Sequence, residues 1–183
     1  PGEPSDKYSK AAKQIIDTGL NCLGTTTTPE FGLTGTTESL RFGATCNPWN
    51  TAYSTGGSSG GSSALVAAGV IPIAHANDGA GSIRIPASCC GLVGLKASRG
   101  RIKDKEVPGY LPANILHDGV VTRSVRDTWA FHAEIEKNIP ATEFPPIGNI
   151  SESFPKNLKI AVLTENCLGE DSSAELVQAT HDV

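Results

Sequence analysis

Two loops rich in glycine and serine, separated by one apolar stretch, constrain the fold of this chain more than any other feature. The first loop is GGSSGG at residues 56–61, and the second is HANDGAGSIR at residues 75–84. A bare glycine–serine run is typical of a flexible linker. Here the small residues 62–68 follow at once and predict a helix with a serine cap, which Gly69 ends. Both loops are therefore expected to be fixed parts of a folded core.

The second loop has the composition of a site that binds an oxyanion. Residues 70–74 (VIPIA) predict a short buried strand before it, and residues 83–90 predict a helix after it. The small residues directly before Ser82 leave backbone N–H groups free to converge on one point. Ser82 itself lies at the expected N-terminus of the helix, where unpaired amides and the helix dipole favour developing negative charge.

The motifs GGSSGG, DGAGSIRIPAS and CGLVGLK, in this order and spacing, resemble the amidase signature family. In that family a serine of the first loop bridges a catalytic lysine to a nucleophilic serine in the second loop. The resemblance implies that Ser82 is the nucleophile, that Ser58 is the bridging serine and that the peptide bond before Ser58 is cis. It also implies an oxyanion hole formed by the amides of Gly79, Ala80, Gly81 and Ser82. Ala80 stands where glycine is commoner, and its methyl group narrows the approach.

Further residues are expected to support the two serines. Asp78 and Arg84 flank Ser82 and are expected to pair and so hold the loop, which we favour over a direct part in proton transfer. Ser59 is expected to steady the relay. Glu30 is interpreted as a carboxylate that accepts hydrogen bonds from loop amides, rather than as a general base.

The base that the reaction needs is not evident in the sequence. A serine hydroxyl cannot attack an amide unaided, and the base of similar enzymes is a neutral lysine upstream of the first helix. That helix is predicted from residue 5 to Gly19, with Lys7, Lys10 and Lys13 on its polar face. Lys96 belongs to a predicted strand and is not assigned as the base. We therefore expect a fragment of a longer amidase, truncated at both ends and inactive alone.

The remaining patterns predict alternating strands and helices. Strands are expected at residues 20–24, 92–96 and 158–163, a surface loop at 103–112, a helix around Trp129 and a final helix that residues 171–173 cap and that continues to the last residue. Asn47, Pro48 and Trp49 are expected to make the approach to the first loop rigid, with Trp49 as an apolar anchor. The predicted fold is α/β, a mixed central sheet flanked by helices on both faces, incomplete at both ends. Residues 1–183 would be one partial domain, with the signature core at 56–101.

Composition excludes several classes of function. A net charge of -4 over 183 residues, without a basic stripe, argues against nucleic acid as a partner. No apolar stretch approaches the roughly 20 residues that cross a bilayer, so no membrane contact is expected. The five cysteines lack CxxC pairs and are interpreted as free thiols in a reducing compartment, the cytoplasm. No two of the four histidines have ligand spacing, and neither a metal nor a cofactor is expected.

The sequence thus predicts an enzyme that hydrolyses the C–N bond of a carboxylic amide through an acyl-serine intermediate. The substrate would be a small linear or cyclic amide, whose identity the sequence leaves open. An A-type subunit of a glutamyl-tRNA amidotransferase and a non-catalytic fragment that binds an anion remain alternatives. Exposed sheet edges and apolar surface would lead copies of the chain to associate with each other, or with the remaining segments of the enzyme.

Overall fold

The computed structural model describes residues 7–102, 115–138, 144–148, 157–165 and 168–182. They form two compact units, Pro1–Ile150 and Ser151–Val183. The second unit contains the helix α5 (Ala174–His181). The first unit contains, in chain order, α1 (Lys10–Ile16), a 3-10 helix (Glu30–Gly32), β1 (Glu38–Ser39), β2 (Gly43–Ala44), β3 (Cys46–Asn47), β4 (Asn50–Ser54), α2 (Gly60–Ala67), β5 (Ile73–Asp78), α3 (Arg84–Cys89), β6 (Val93–Gly94), β7 (His117–Thr122) and α4 (Val125–Glu136).

The described strands form three small antiparallel sheets. β1 pairs with β2, β3 pairs with β4, and a three-stranded sheet has the order β5-β7-β6. The first two sheets are hairpins, because strands joined by only a few residues can pair only in the antiparallel direction. The single mixed sheet expected from the sequence is therefore not seen in the part of the chain that the structure describes.

The three-stranded sheet lies between the helices that carry the two loops and α4. Val121 packs in one apolar cluster with Val66 of α2 and Ala87 of α3, whereas Val120 packs in another with Phe131 of α4. Neighbouring residues of a strand point to opposite faces of a sheet. Helices α2 and α3 therefore cover one face and α4 covers the other.

Several element boundaries differ from the sequence expectations. β5 begins at Ile73, not at residue 70, and it continues through Asp78, so the start of the second loop is strand. The reason is its six-residue pairing with β7, a segment whose pairing the sequence did not reveal. β6 is confined to Val93–Gly94, and α1 to Lys10–Ile16, with Ser9 as its N-cap.

Two predicted strands are wrong. Residues 20–24 and 158–163 have no regular secondary structure, because neither segment pairs with a described strand, and a strand needs a partner for its backbone groups. Helix α5 is capped by Ser173 and ends at His181 with Asp182 as its C-cap, so it does not continue to the last residue. The loop predicted at 103–112 lies outside the described residues. None of the described helices is long and apolar enough to cross a membrane.

Candidate active site

The two glycine–serine loops meet directly. The N–H of Ser59 donates to the carbonyl of Ser82 at 3.3 Å, which joins the turn before α2 to the turn before α3. Ser58 is buried and Ser82 is half-buried. The peptide bond between Gly57 and Ser58 is cis, as the family resemblance implies. The fold thus places both predicted catalytic serines in adjoining loops.

One serine of the first loop and one serine of α2 attach this segment to β5. The hydroxyl of Ser59 accepts from the N–H of Asn77 at 3.2 Å and donates to the carbonyl of the same residue at 3.3 Å. One turn further along α2, the hydroxyl of Ser62 donates to the carbonyl of His75 at 2.7 Å. These contacts are possible because the chain at His75 and Asn77 is strand. Ser59 thereby holds the first loop in place against β5.

A buried carboxylate organises the second loop. Asp78 is completely buried and accepts from the N–H groups of Gly81 at 2.7 Å and Ile83 at 3.2 Å. The guanidinium of Arg84 donates two further bonds at 2.9 and 3.0 Å, so the predicted pairing of Asp78 with Arg84 is present. Burial raises the pKa of Asp78, but these four hydrogen bonds outweigh it, and the pKa is lowered overall.

The contact with Asp78 also bears on the oxyanion hole. The N–H of Gly81 already donates to the carboxylate of Asp78. The amides that remain as expected donors to an oxyanion are therefore those of Gly79, Ala80 and Ser82. Among the described residues, Ala80 and Ser82 donate their N–H groups to no other group. Gly81 has φ +124°, and a Cβ there would lie 2.7 Å from Cδ1 of Ile85, so this position requires glycine.

Threonines surround the first loop, and the sequence analysis missed their role. The hydroxyl of Thr37 donates to the carbonyl of Gly56 at 3.0 Å and accepts from the N–H of Gly60 at 3.2 Å. The carbonyl of Thr27 accepts from the N–H of Gly61 at 3.2 Å. A glycine-rich turn offers many backbone groups and few side chains, so neighbouring hydroxyl and carbonyl groups must satisfy them. The dense threonines of residues 25–28 and 36–37 were the signal that could have revealed this.

The approach to the first loop is tied to the end of α3. The side-chain amide of Asn47 donates to the carbonyl of Cys89 at 2.7 Å, and the indole N–H of Trp49 donates to the carbonyl of Cys90 at 2.8 Å. These are carbonyls that lack a partner within the helix. Trp49 is 72% exposed, so the expectation of an apolar anchor is wrong, and the polar end of its ring makes the attachment.

The 3-10 helix borders Ser58. A Cβ added to Gly32 would lie 3.7 Å from the hydroxyl oxygen of Ser58. Glu30 accepts from the N–H of Leu40 at 2.9 Å, which confirms its interpretation as a carboxylate that bonds loop amides. Backbone hydrogen bonds, from its own residue and from Leu40, lower the pKa of Glu30. The side chains of Phe31 and Leu33, on either side of Gly32, are exposed.

Other titratable groups near the loops are engaged elsewhere. Nε2 of His75 lies 2.8 Å from Oδ1 of Asp118, which also accepts from the side chain of Asn77 at 3.2 Å. Lys96 donates to the carbonyl of Ala97 at 3.5 Å, and Lys13 pairs with Asp17. The described residues contain no group of three side chains that could hold a metal ion.

Comparison with known proteins gives consistent results. The profile of the Amidase family matches residues 2–183. AmiC of Mycobacterium tuberculosis is 50% identical over 172 residues, which cover 94% of this chain and 36% of that protein. The 6-aminohexanoate-cyclic-dimer hydrolase of Paenarthrobacter ureafaciens is 47% identical over 182 residues, covering 92% of this chain and 36% of that enzyme.

A solved structure has the same fold. It is a bacterial aryl acylamidase described as one of the amidase signature enzymes, with 39% identity and a TM-score of 0.66. The match covers 70% of this chain and 26% of the aryl acylamidase chain. The sequence spans only about a third, 36%, of the length of each of the two curated relatives named above.

Proposed function

This chain belongs to the amidase signature family, and from that premise we propose that it carries the nucleophile and the proton relay of an amide hydrolase. The observation that carries the proposal is the hydrogen bond from Ser59 N–H to the carbonyl of Ser82, which holds the turn with Ser58 against the turn with Ser82. A hydroxyl nucleophile beside a hydroxyl relay is an arrangement that supports acyl transfer.

In the proposed reaction the hydroxyl oxygen of Ser82 attacks the carbonyl carbon of the amide. The proton of Ser82 passes to Ser58 and from there to a base. The amides of Gly79, Ala80 and Ser82 donate to the oxyanion that develops, in a loop whose geometry Asp78 and Arg84 hold. When the C–N bond breaks, the relay returns a proton to the leaving amine. Water then attacks the acyl-serine ester and releases the acid, with the proton again passing through Ser58.

The base is proposed to be the neutral lysine that the family resemblance implies. Because the chain spans 36% of the length of its curated relatives, we place that lysine in a part of the enzyme that this sequence does not include.

We also propose that residues 1–183 form one partial domain with residues 56–101 as its core. The small antiparallel sheets would then be parts of one larger mixed sheet with helices on both faces.

We propose a small apolar amide, aryl or cyclic, as the substrate. Phe31 and Leu33 expose apolar side chains next to the Gly32 backbone that borders Ser58, and such surfaces favour an apolar acyl or amine group. Relatives named as a cyclic-dimer hydrolase and an aryl acylamidase support this class. No observation of this chain favours an amidotransferase subunit, and the net charge of -4 gives no support to binding of tRNA.

The test is covalent labelling by a fluorophosphonate, read by intact-protein mass spectrometry and peptide mapping. Labelling is expected at Ser82 in a longer protein that includes the lysine, to be absent in Ser82→Ala, and to be slowed at least about 100-fold in Ser58→Ala, since removing a proton relay costs that much. Ser88→Ala, an exposed serine of α3, is the matched control and should label normally. Labelling at another serine, or none in the longer protein, would contradict the proposal.

A further inference from the structure

A cavity lies in the first unit, and neither Ser58 nor Ser82 lines it. It has a volume of about 690 Å³ and is bounded by β6 and the chain that follows it to Ser98, by α4, and by residues 145–147. Pockets that bind small molecules typically have volumes of about 300–1,000 Å³. Neither catalytic serine nor any residue of the proposed oxyanion hole lines it.

The charged groups of this cavity are all cationic. Its lining is mainly apolar and includes Lys96 and Arg101 but no carboxylate. Arg101 donates to Glu136 at 3.4 Å and to the carbonyl of Pro145 at 3.1 Å, and a guanidinium has five N–H donors, so donors remain for a ligand. Lys96 forms none of the ion pairs found among the described residues. Two cations thus line the cavity and one carboxylate, that of Glu136, lies beside them, which leaves a net positive charge that would attract an anion.

A buried imidazole forms part of the wall of the cavity. His132 of α4 lines the cavity, is 2% exposed, and neither of its ring nitrogens has a hydrogen-bond partner in the described part of the chain. Burial, together with the nearby His117 and Arg101, lowers the pKa of His132 to about 4, so the ring is neutral at pH 7 and retains one N–H donor. Both ring nitrogens are shielded from solvent, so the ring borders the cavity as an uncharged wall and does not donate to a ligand.

We propose that this cavity binds a small apolar carboxylate, such as an aromatic monocarboxylic acid. The carboxylate accepts hydrogen bonds from the remaining N–H groups of Arg101 and from the ammonium group of Lys96. The apolar body of the acid packs against Trp129, whose ring is fixed by the bond of its indole N–H to the carbonyl of Gly148 at 2.8 Å. This site is independent of the proposed amide hydrolysis.

The experiment is isothermal titration of the Ser82→Ala protein with benzoate, and with benzamide as the uncharged probe of the same shape. Benzoate should bind at least about tenfold more tightly than benzamide, because the loss of one charge-assisted hydrogen bond has that effect. Arg101→Gln should weaken the binding of benzoate by a similar factor. Arg126→Gln, which removes an exposed cation of the same helix that does not line the cavity, should leave the affinity unchanged.

Two further measurements test the site even if the Arg101→Gln protein does not fold. Lys96→Gln removes a side chain whose nitrogen bonds only the carbonyl of the next residue, so it should fold normally and bind benzoate several-fold more weakly. In a Trp49→Phe background, benzoate should change the fluorescence of Trp129, the remaining tryptophan. The proposal is overturned if benzoate does not bind at millimolar concentration, if benzamide binds equally well, or if Lys96→Gln and Arg101→Gln both bind like the parent.

Discussion

At the scale of single residues, Asp78 contributes most to the geometry of the candidate site. Its carboxylate satisfies two loop amides and the guanidinium of Arg84 from a completely buried position. Burial of a carboxylate destabilises the folded state unless each of its oxygens is hydrogen-bonded, and both oxygens of Asp78 are. The loop that carries Ser82 is therefore fixed by a buried side chain that does not itself need to contact a substrate.

Replacement of Asp78 should show this directly. Asp78→Ala should lower the free energy of unfolding by about 3 kcal/mol, because the amides of Gly81 and Ile83 lose their acceptor. Since the pKa of Asp78 is lowered in the folded state, its stabilising contribution is fully present above the unfolded-state value of about 4 and is lost as the pH falls through the lower folded-state value. Urea unfolding at pH values from 2 to 7 measures both effects.

Asp78→Asn is the matched variant, since it keeps the shape but cannot titrate. Its free energy of unfolding should decrease less between pH 5 and pH 2 than that of the parent protein. An identical pH dependence in the two proteins would assign the acid sensitivity to other carboxylates.

The cysteines give a second prediction at this scale. The four described cysteines are free, as expected; Cys22, Cys46 and Cys89 are exposed, whereas Cys90 is buried. Burial, and to a lesser extent the neighbouring Cys89, raises the pKa of Cys90 to about 11. Iodoacetamide at pH 8 should therefore modify Cys46 and Cys89 quickly and Cys90 only after unfolding, because the thiolate is the reactive form. Peptide mass spectrometry over time, with and without urea, measures the difference; fast modification of native Cys90 would contradict it.

At the scale of elements, the glycine–serine loop depends on the close approach of the backbone at Thr27. Gly61 donates to the carbonyl of Thr27, and a Cβ at Gly61 would lie 2.5 Å from the nitrogen of that residue. Gly61→Ala should therefore lower the free energy of unfolding by about 1–3 kcal/mol, as overpacking does. Gly35→Ala is the control, because the nearest atom to its Cβ would be 4.0 Å away. Equal midpoints for the two variants in urea would show that the loop is not tightly enclosed.

The elements also show what sequence alone could predict. Helices α2, α3 and α4 were expected near their observed positions, because small residues, caps and apolar spacing are local signals. β5 was placed too early, because its register depends on β7, which is about 40 residues away in the chain. The hydrogen bonds of Thr37 and Asp78 with backbone amides could not be predicted, because the sequence does not specify which donor lies near which acceptor in the fold. The family motifs indicated the serines themselves, and their catalytic roles stay a prediction.

At the scale of the whole molecule, the two units contribute unequally to stability. Both apolar clusters lie in the unit Pro1–Ile150, and none of the described residues of Ser151–Val183 is buried. Removal of residues 151–183 should therefore lower the free energy of unfolding by less than about 1 kcal/mol, because little apolar area returns to water. Val121→Ala, in the first cluster, should cost about 2 kcal/mol and serves as the reference. A larger loss from the truncation than from Val121→Ala, in urea unfolding, would contradict this division.

The bonds that hold the two glycine–serine loops have a kinetic consequence. Two of them join Ser62 with His75, 13 residues apart, and Thr26 with Ser62, 36 residues apart. Because the entropy lost in closing a loop increases with its length, these contacts should form before contacts between more distant parts of the chain. Pulse-labelling hydrogen exchange should detect protection of the amides around Ser59 and Asn77 while much of the chain still exchanges. The candidate site would then be among the first parts of the protein to acquire native order.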